Sequence, residues 1–152
     1  MGADLSENLL SHNPLKDKVR CDAGALCFPG GSFDVAFESN LLHHVQSPEA
    51  VVREMARVSR RHLVLIEPNA LNPLMFAFVA LTPTERGALR FTPRSMRRLL
   101  ESCGVEPMAV FATGMITQEL TPALLLPILG LFDFAFPLGE YVVAIGVKPG
   151  AR

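Results

Sequence analysis

The chain has 152 residues, 49% of them apolar and 19% charged, with a net charge of −1. That is one domain's worth of sequence with enough apolar material for a core. It lacks the basic surplus that a general nucleic-acid binder usually carries, so no nucleic-acid partner is expected.

Taken in chain order, residues 1–5 read as the end of a strand. Ser6 is placed to cap a short helix, which Asn13-Pro14 ends. Val19-Arg20-Cys21 makes a brief strand, and Phe28-Pro29-Gly30-Gly31-Ser32 a turn. Phe33 to Phe37 is a mostly apolar run of strand length, as expected in a sheet covered on both faces. Ser47-Pro48 opens an amphipathic helix with Val51, Met55 and Val58 on one stripe. A second buried strand, His62 to Ile66, is stopped by Glu67-Pro68-Asn69. Thr92-Pro93 repeats the cap-and-proline device, Met96, Leu99, Leu100 and Cys103 form its buried stripe, and Gly104 suits a left-handed C-cap. Residues 105–113 and Glu140–Val147 read as strands, the latter rich in β-branched residues. Alternating strands and helices predict an α/β fold: a mostly parallel sheet with helices on both faces.

Two segments, 71–81 and 121–139, are strongly apolar. The first is too short to span a bilayer, which takes about 20 residues. The second is broken by Pro122, Pro127, Gly130, Asp133 and Pro137. An apolar lid, a peripheral membrane or lipid contact through residues 121–139, and a plain buried helical hairpin are the readings left open. Arg57, Arg60 and Arg61, like Arg94, Arg97 and Arg98, are at helical spacings and read as solvated helix faces. Three scattered cysteines without a CxxC pair give no metal site; Cys21 and Cys103 read as small core residues. This usage, with an N-terminus unlike a signal peptide, fits a cytoplasmic location.

Acids at strand ends are the candidate ligand-binding groups, because open α/β sheets bind ligands outside the carboxyl ends of their strands. Asp4 in Gly2-Ala3-Asp4-Leu5-Ser6 can accept hydrogen bonds from a ribose diol, in a nicotinamide-binding protein as well as in others, and can equally be a helix cap. A more specific signal is the order of the pieces downstream. Asp22-Ala23, Leu26-Cys27-Phe28, Phe33-Asp34-Val35, Leu42-His43-His44 and Glu54-Met55-Ala56-Arg57-Val58 stand in sequence.

This set resembles the middle of a class I S-adenosylmethionine-dependent methyltransferase of the type 11 kind. The likeness is close over residues 2–68 and loose beyond. It implies a Rossmann-like, mostly parallel sheet with flanking helices and an antiparallel C-terminal strand. It implies a single partial domain, with a cofactor-binding part over 1–68 and a substrate or lid region with C-terminal strands over 69–152. By the same resemblance Asp4 would bind the ribose hydroxyls and Leu5 would pack on the adenine. Asp22 would accept the adenine amino group and the Ala23 N–H would meet a ring nitrogen. Glu38 and Ser39 would line the floor under the methionine. A turn-forming Asp22 and an exposed strand-end Glu38 are the plainer alternatives. His43 and His44 are the candidates for a general base, or one of them braces the loop.

The family's first strand and glycine-rich cofactor loop have no counterpart in these residues, and no GxGxxG occurs. In the family that strand lies between those represented here by residues 1–4 and 33–38. The expectation is therefore a truncated or partner-dependent methyltransferase acting on a small, apolar acceptor, prone to homo-oligomerise. A non-catalytic methyltransferase-like binding module is the first alternative. A nicotinamide-dependent oxidoreductase is the second, although the Tyr-x-x-x-Lys pair of one such group is missing.

Overall fold

A computed structural model of the chain describes residues 1–114, 124, 127 and 134–150. Strand β1 is Gly2–Asp4, helix α1 Glu7–His12, β2 Lys18–Arg20, β3 Phe33–Ser39, α2 Pro48–Val58 and β4 Ser59–Pro68. Helix α3 is Pro73–Leu81, a 3-10 segment runs Pro83–Arg90, α4 is Pro93–Ser102, β5 Glu106–Thr113 and β6 Tyr141–Val147. The sheet is split. Among the described residues β1 pairs only with β2, in parallel, and the other four strands form a separate sheet in the order β3-β4-β6-β5. β3 runs parallel to β4, while β6 lies between β4 and β5 and is antiparallel to both.

Local chemistry explains the elements. Ser6, Ser47, Asn72 and Thr92 each cap a helix by accepting a backbone N–H, and the last three are followed by proline at the first helical turn. Such a cap contributes roughly 1 kcal/mol. Thr92 and Ser95 complete a reciprocal capping box. Gly104 has φ 74°, as the C-cap requires, and its N–H bonds to the Glu101 carbonyl.

One face of the four-stranded sheet is closed. Leu63, Leu65, Val142 and Ala144 are buried there against Val51, Val52 and Met55 of α2 and Met96, Leu99 and Leu100 of α4. The other face is not. Its row holds Val35, Phe37, Val64, Ile66, Val143 and Ile145; Phe37 is 63% exposed and Val35 48%. Among the described residues, α2 and α4 are the helices on this sheet, and both lie on the closed face.

The structure corrects four expectations. β3 is not a strand covered on both faces: among the described residues it is an edge strand, and Val35 and Phe37 on one of its faces stand exposed. Arg60 and Arg61 lie on β4 rather than on a helix, since α2 ends at Val58. β4 is not stopped at Glu67 but runs through it to Pro68. The segment 71–81 is not a plain buried helix: in α3 only Val79 is buried, while Leu74 and Leu81 are 82% and 85% exposed. The lid or membrane contact expected over 121–139 falls largely outside the described residues. The turn at residues 137–139 is pinned: the buried Asn69 amide donates to the Pro137 and Gly139 carbonyls, and the Asn72 amide to that of Leu138. Among the described residues no helix is long and apolar enough to cross a membrane.

Candidate functional site

Three strand ends converge on one groove. A cavity of about 280 Å³ separates β1 from β3, lined by Met1 and Ala3 on one side and Phe33, Val35 and Phe37 on the other. Ala23, Leu26, Phe28, Leu41 and, from α2, Val51, Met55 and Val58 complete its lining. Among the described residues the strand edges on either side of it carry no strand partner across the gap. Direct pairing of the first strand with β3 does not occur.

Of the predicted site residues Ala23 lines this groove, while Asp4, Asp22 and Glu38 each follow or precede a lining residue in sequence. Asp4 ends β1, and its Oδ1 accepts the Ser6 N–H at 2.7 Å. Asp22 follows β2, and its Oδ1 accepts the Gly24 N–H at 2.8 Å. Each carboxylate therefore commits one oxygen to a local turn. No other protein hydrogen bond to either carboxylate is found among the described residues. Leu5, between the two acids in the fold, is 60% exposed, and Arg20 donates to its carbonyl at 3.0 Å. Ala23 lies on the groove wall. The two carboxylates thus keep uncommitted oxygens, with an exposed apolar side chain beside them.

Glu38 is not an exposed strand-end acid. It is 6% exposed and points to the closed side of the sheet, where it accepts the Leu41 N–H (3.3 Å) and the Ile66 N–H (3.2 Å). Burial first, and the charge of the neighbouring Glu67 second, push its pKa up to about 9, so it carries a proton at neutral pH. Ser39 is exposed at the strand tip, and Asn40 turns the corner at φ 56°, a left-handed conformation that asparagine tolerates better than most residues.

The two histidines part company. His43 is buried. Its Nδ1 lies 2.5 Å from Glu67 Oε2, and its Nε2 lies 3.3 Å from Glu85 Oε2. The other Glu67 oxygen accepts the Leu42 N–H at 2.6 Å. His43 is thus clamped between two carboxyl groups. His44 is exposed, its ring 3.9 Å from that of His43.

Sequence reasoning missed Glu67, which reads as a strand stop but continues the core-facing row after Leu63 and Leu65. Period-two alternation along β4 is the signal that finds it. It also gave no role to the Glu54/Arg57 pair. Glu54 accepts the Leu26 N–H, and Arg57 donates to Glu54 and to the Leu26 and Phe28 carbonyls, sewing the groove's end loop to α2.

This is the fold of the class I S-adenosylmethionine-dependent methyltransferases. Residues 1–66 match the family described as methyltransferase domain, so the expected resemblance holds over that segment. A Thermotoga maritima S-adenosylmethionine-dependent methyltransferase, described as a possible histamine N-methyltransferase, superposes with a TM-score of 0.78 at 19% identity, over 97% of this chain and 72% of that one. A methyltransferase of the same dependence from Archaeoglobus fulgidus gives 0.66 at 15% identity, over 97% and 75%. The Haloferax volcanii complex between the Trm112 methyltransferase activator and the protein named as its methyltransferase gives 0.69 at 12%, over 97% and 71%. No curated protein matches the chain.

Proposed function

We propose that the chain holds the nucleoside half of an S-adenosylmethionine site and serves methyl transfer to a small, apolar acceptor once a further parallel strand fills the groove between β1 and β3. One observation carries this: the groove is lined by Ala3, Ala23 and Phe37, the immediate sequence neighbours of Asp4, Asp22 and Glu38. In this reading Asp4 holds the ribose hydroxyls, Leu5 covers the adenine, and Asp22 with the Ala23 N–H reads its edge. Ser39 at the β3 tip faces the methionine part, and Glu38 acts from inside, by fixing the corner that presents Ser39. Bound there, S-adenosylmethionine supplies an electrophilic methyl group. The chain's own task is alignment of the acceptor, the main requirement of such a transfer. The exposed apolar side chains of α3, Leu74, Phe76 and Phe78, suit an apolar acceptor. His43 is a positioning residue, since both ring nitrogens are engaged; His44 is the histidine with access to an acceptor's proton. Residues 1–68 would form the cofactor part and 69–152 the acceptor part, in a cytoplasmic protein.

The need for a further strand rests on the two unpaired edges, which also support the second reading, a non-catalytic binding module that completes its sheet with a partner. Calorimetry with S-adenosylhomocysteine separates them. The chain alone should bind weakly or not at all. A form completed by an added strand should bind, and Asp4→Ala in that form should weaken binding about 10- to 150-fold, the worth of a charged hydrogen bond. A completed form that binds no cofactor would leave only the binding module. Micromolar affinity in the chain alone, about −8 kcal/mol, would show that the groove needs no further strand.

A further inference from the structure

The corner after β3 and the 3-10 segment bring together three donors; the methyl-transfer reading takes His43 as a positioning residue and His44 as the histidine with access to an acceptor's proton, and it gives Glu85 no role. His43, His44 and Glu85 each offer a ligand atom, and these atoms all lie within 4.8 Å of one another. Ligand atoms around one tetrahedral zinc sit roughly 3.3 Å apart, from bonds of about 2.0–2.1 Å. The His43 Nε2 to Glu85 Oε2 separation is already 3.3 Å. His44 is the exposed member and can turn to close the remaining distance.

The surroundings are built as metal-binding histidines require. A ligating imidazole usually donates its other nitrogen to a carboxylate, which fixes the tautomer and aims the free nitrogen at the ion. His43 has that partner in Glu67, which is fully buried and itself anchored by the Leu42 N–H. The 3-10 segment that carries Glu85 is seated just as firmly. A Cβ at Gly87 would collide with the His43 carbonyl, so only glycine allows this close approach, and Arg90 donates to the Val45 carbonyl at 3.2 Å.

We propose that His43, His44 and Glu85 form a binding site for a divalent transition-metal ion of the zinc type, with Glu67 orienting His43. Two imidazoles and one carboxylate favour such an ion over magnesium or calcium, which take all-oxygen sets. Three protein ligands leave a coordination position open for water or another small ligand. The sequence offered no metal site because Glu85 is far from the histidine pair along the chain. The inference does not rest on methyl transfer, although an ion held by His44 would take the nitrogen that reading leaves free, and its test needs no cofactor.

The experiment is titration of the full chain with Zn²⁺, followed by calorimetry, and with Co²⁺, followed by its visible absorption. One ion per chain at micromolar affinity or better is expected. His44→Ala and Glu85→Gln, both at solvent-accessible positions, should each weaken binding at least tenfold, and His12→Ala should leave it intact. Glu67→Gln should weaken it about 10- to 100-fold, as loss of an orienting carboxylate does; circular dichroism verifies that this buried variant still folds, and the decision rests on the other two. Absence of zinc binding by folded protein overturns the proposal. So does binding that survives both His44→Ala and Glu85→Gln, or that disappears with His12→Ala.

Discussion

The two faces of the four-stranded sheet are made from the same kind of residue and end in opposite states. On one face Leu63, Leu65, Val142 and Ala144 are at 0% exposure under α2 and α4. On the other Val35 and Phe37 stand open, with Val64, Ile66, Val143 and Ile145 half-covered beside them. A run such as Phe33–Phe37 records a strand with Phe33, Val35 and Phe37 on one side and Asp34 and Ala36 on the other. It does not record what covers each side, and that depends on elements elsewhere. The β1/β2 pair differs in the same way: it has no core of its own, and α1 beside it buries no residue fully. Stability is therefore concentrated on one side of one sheet.

The comparison is most exposed to failure in the core. Leu65→Ala should cost about 2–5 kcal/mol, the range for a leucine deleted from a packed interior. Phe37→Lys should change the unfolding free energy by about 0.5 kcal/mol or less, and chemical denaturation measures both. The same Phe37→Lys should alter assembly. Open edges and an apolar sheet face invite pairing between copies, so light scattering should show the parent chain as a dimer or larger species and the variant shifted towards monomer. Equal destabilisation by both substitutions would mean that the open face is covered in solution, and a strictly monomeric parent would refute the association.

Glu38 sharpens the contrast through pH. Its pKa in the fold, about 9, lies above the ordinary 4.5. A raised folded-state value means the native state holds a proton that the unfolded chain releases. Its contribution is complete below about pH 4.5, declines as pH rises, and is gone once the folded pKa near 9 is passed. Glu38→Gln, neutral at every pH, should flatten that slope, by an amount on the order of a few kcal/mol across the window. Melts between acid and mildly alkaline pH track it, and an unchanged slope would assign the pH dependence to other groups.

The smallest effect separates the two sheets. Thr92→Ala removes the cap of α4, which packs on the closed face, and should lower global stability by about 1 kcal/mol. Ser6→Ala removes the cap of α1 and should leave the global melt unchanged while local amide exchange near Leu9 quickens. A global loss from Ser6→Ala would show that β1 and β2 melt with the main sheet.

Much of the fold is legible in the sequence. Caps at Ser6, Ser47 and Thr92, the stripe of α4 and the strand over 140–147 arise from local chemistry that the fold does not override. The strand-end acids can be found because turn chemistry and strand length place Asp4 and Asp22 where they are. Burial is less legible. Glu67 reads as a terminator because glutamate is rare in cores, yet its partners, the Leu42 N–H and His43, come from another strand's corner. Glu85 reads as nothing, since its meeting with His43 depends on how a 3-10 segment crosses the sheet end. For α3 the sequence leaves an apolar lid and a buried hairpin both open, because a helix apolar all round has no stripe to show which side is covered.

The position of β6 has a kinetic side. The last strand in the sequence is an inner strand, flanked by β4 and β5. Its pairing with β4, Val64 opposite Ile145, closes the longest loop of any strand pairing among the described residues, and such closures are slow because their entropy must be lost before any contact compensates. Until β6 arrives, β4 and β5 have no link through the sheet. A nascent chain would hold α2, β4 and α4 as a half-built structure with β4's inner edge open, and completion would wait on Tyr141–Val147. Refolding should accordingly show a main phase sensitive to substitutions in β6, such as Val142→Ala, and nearly indifferent to those in β1.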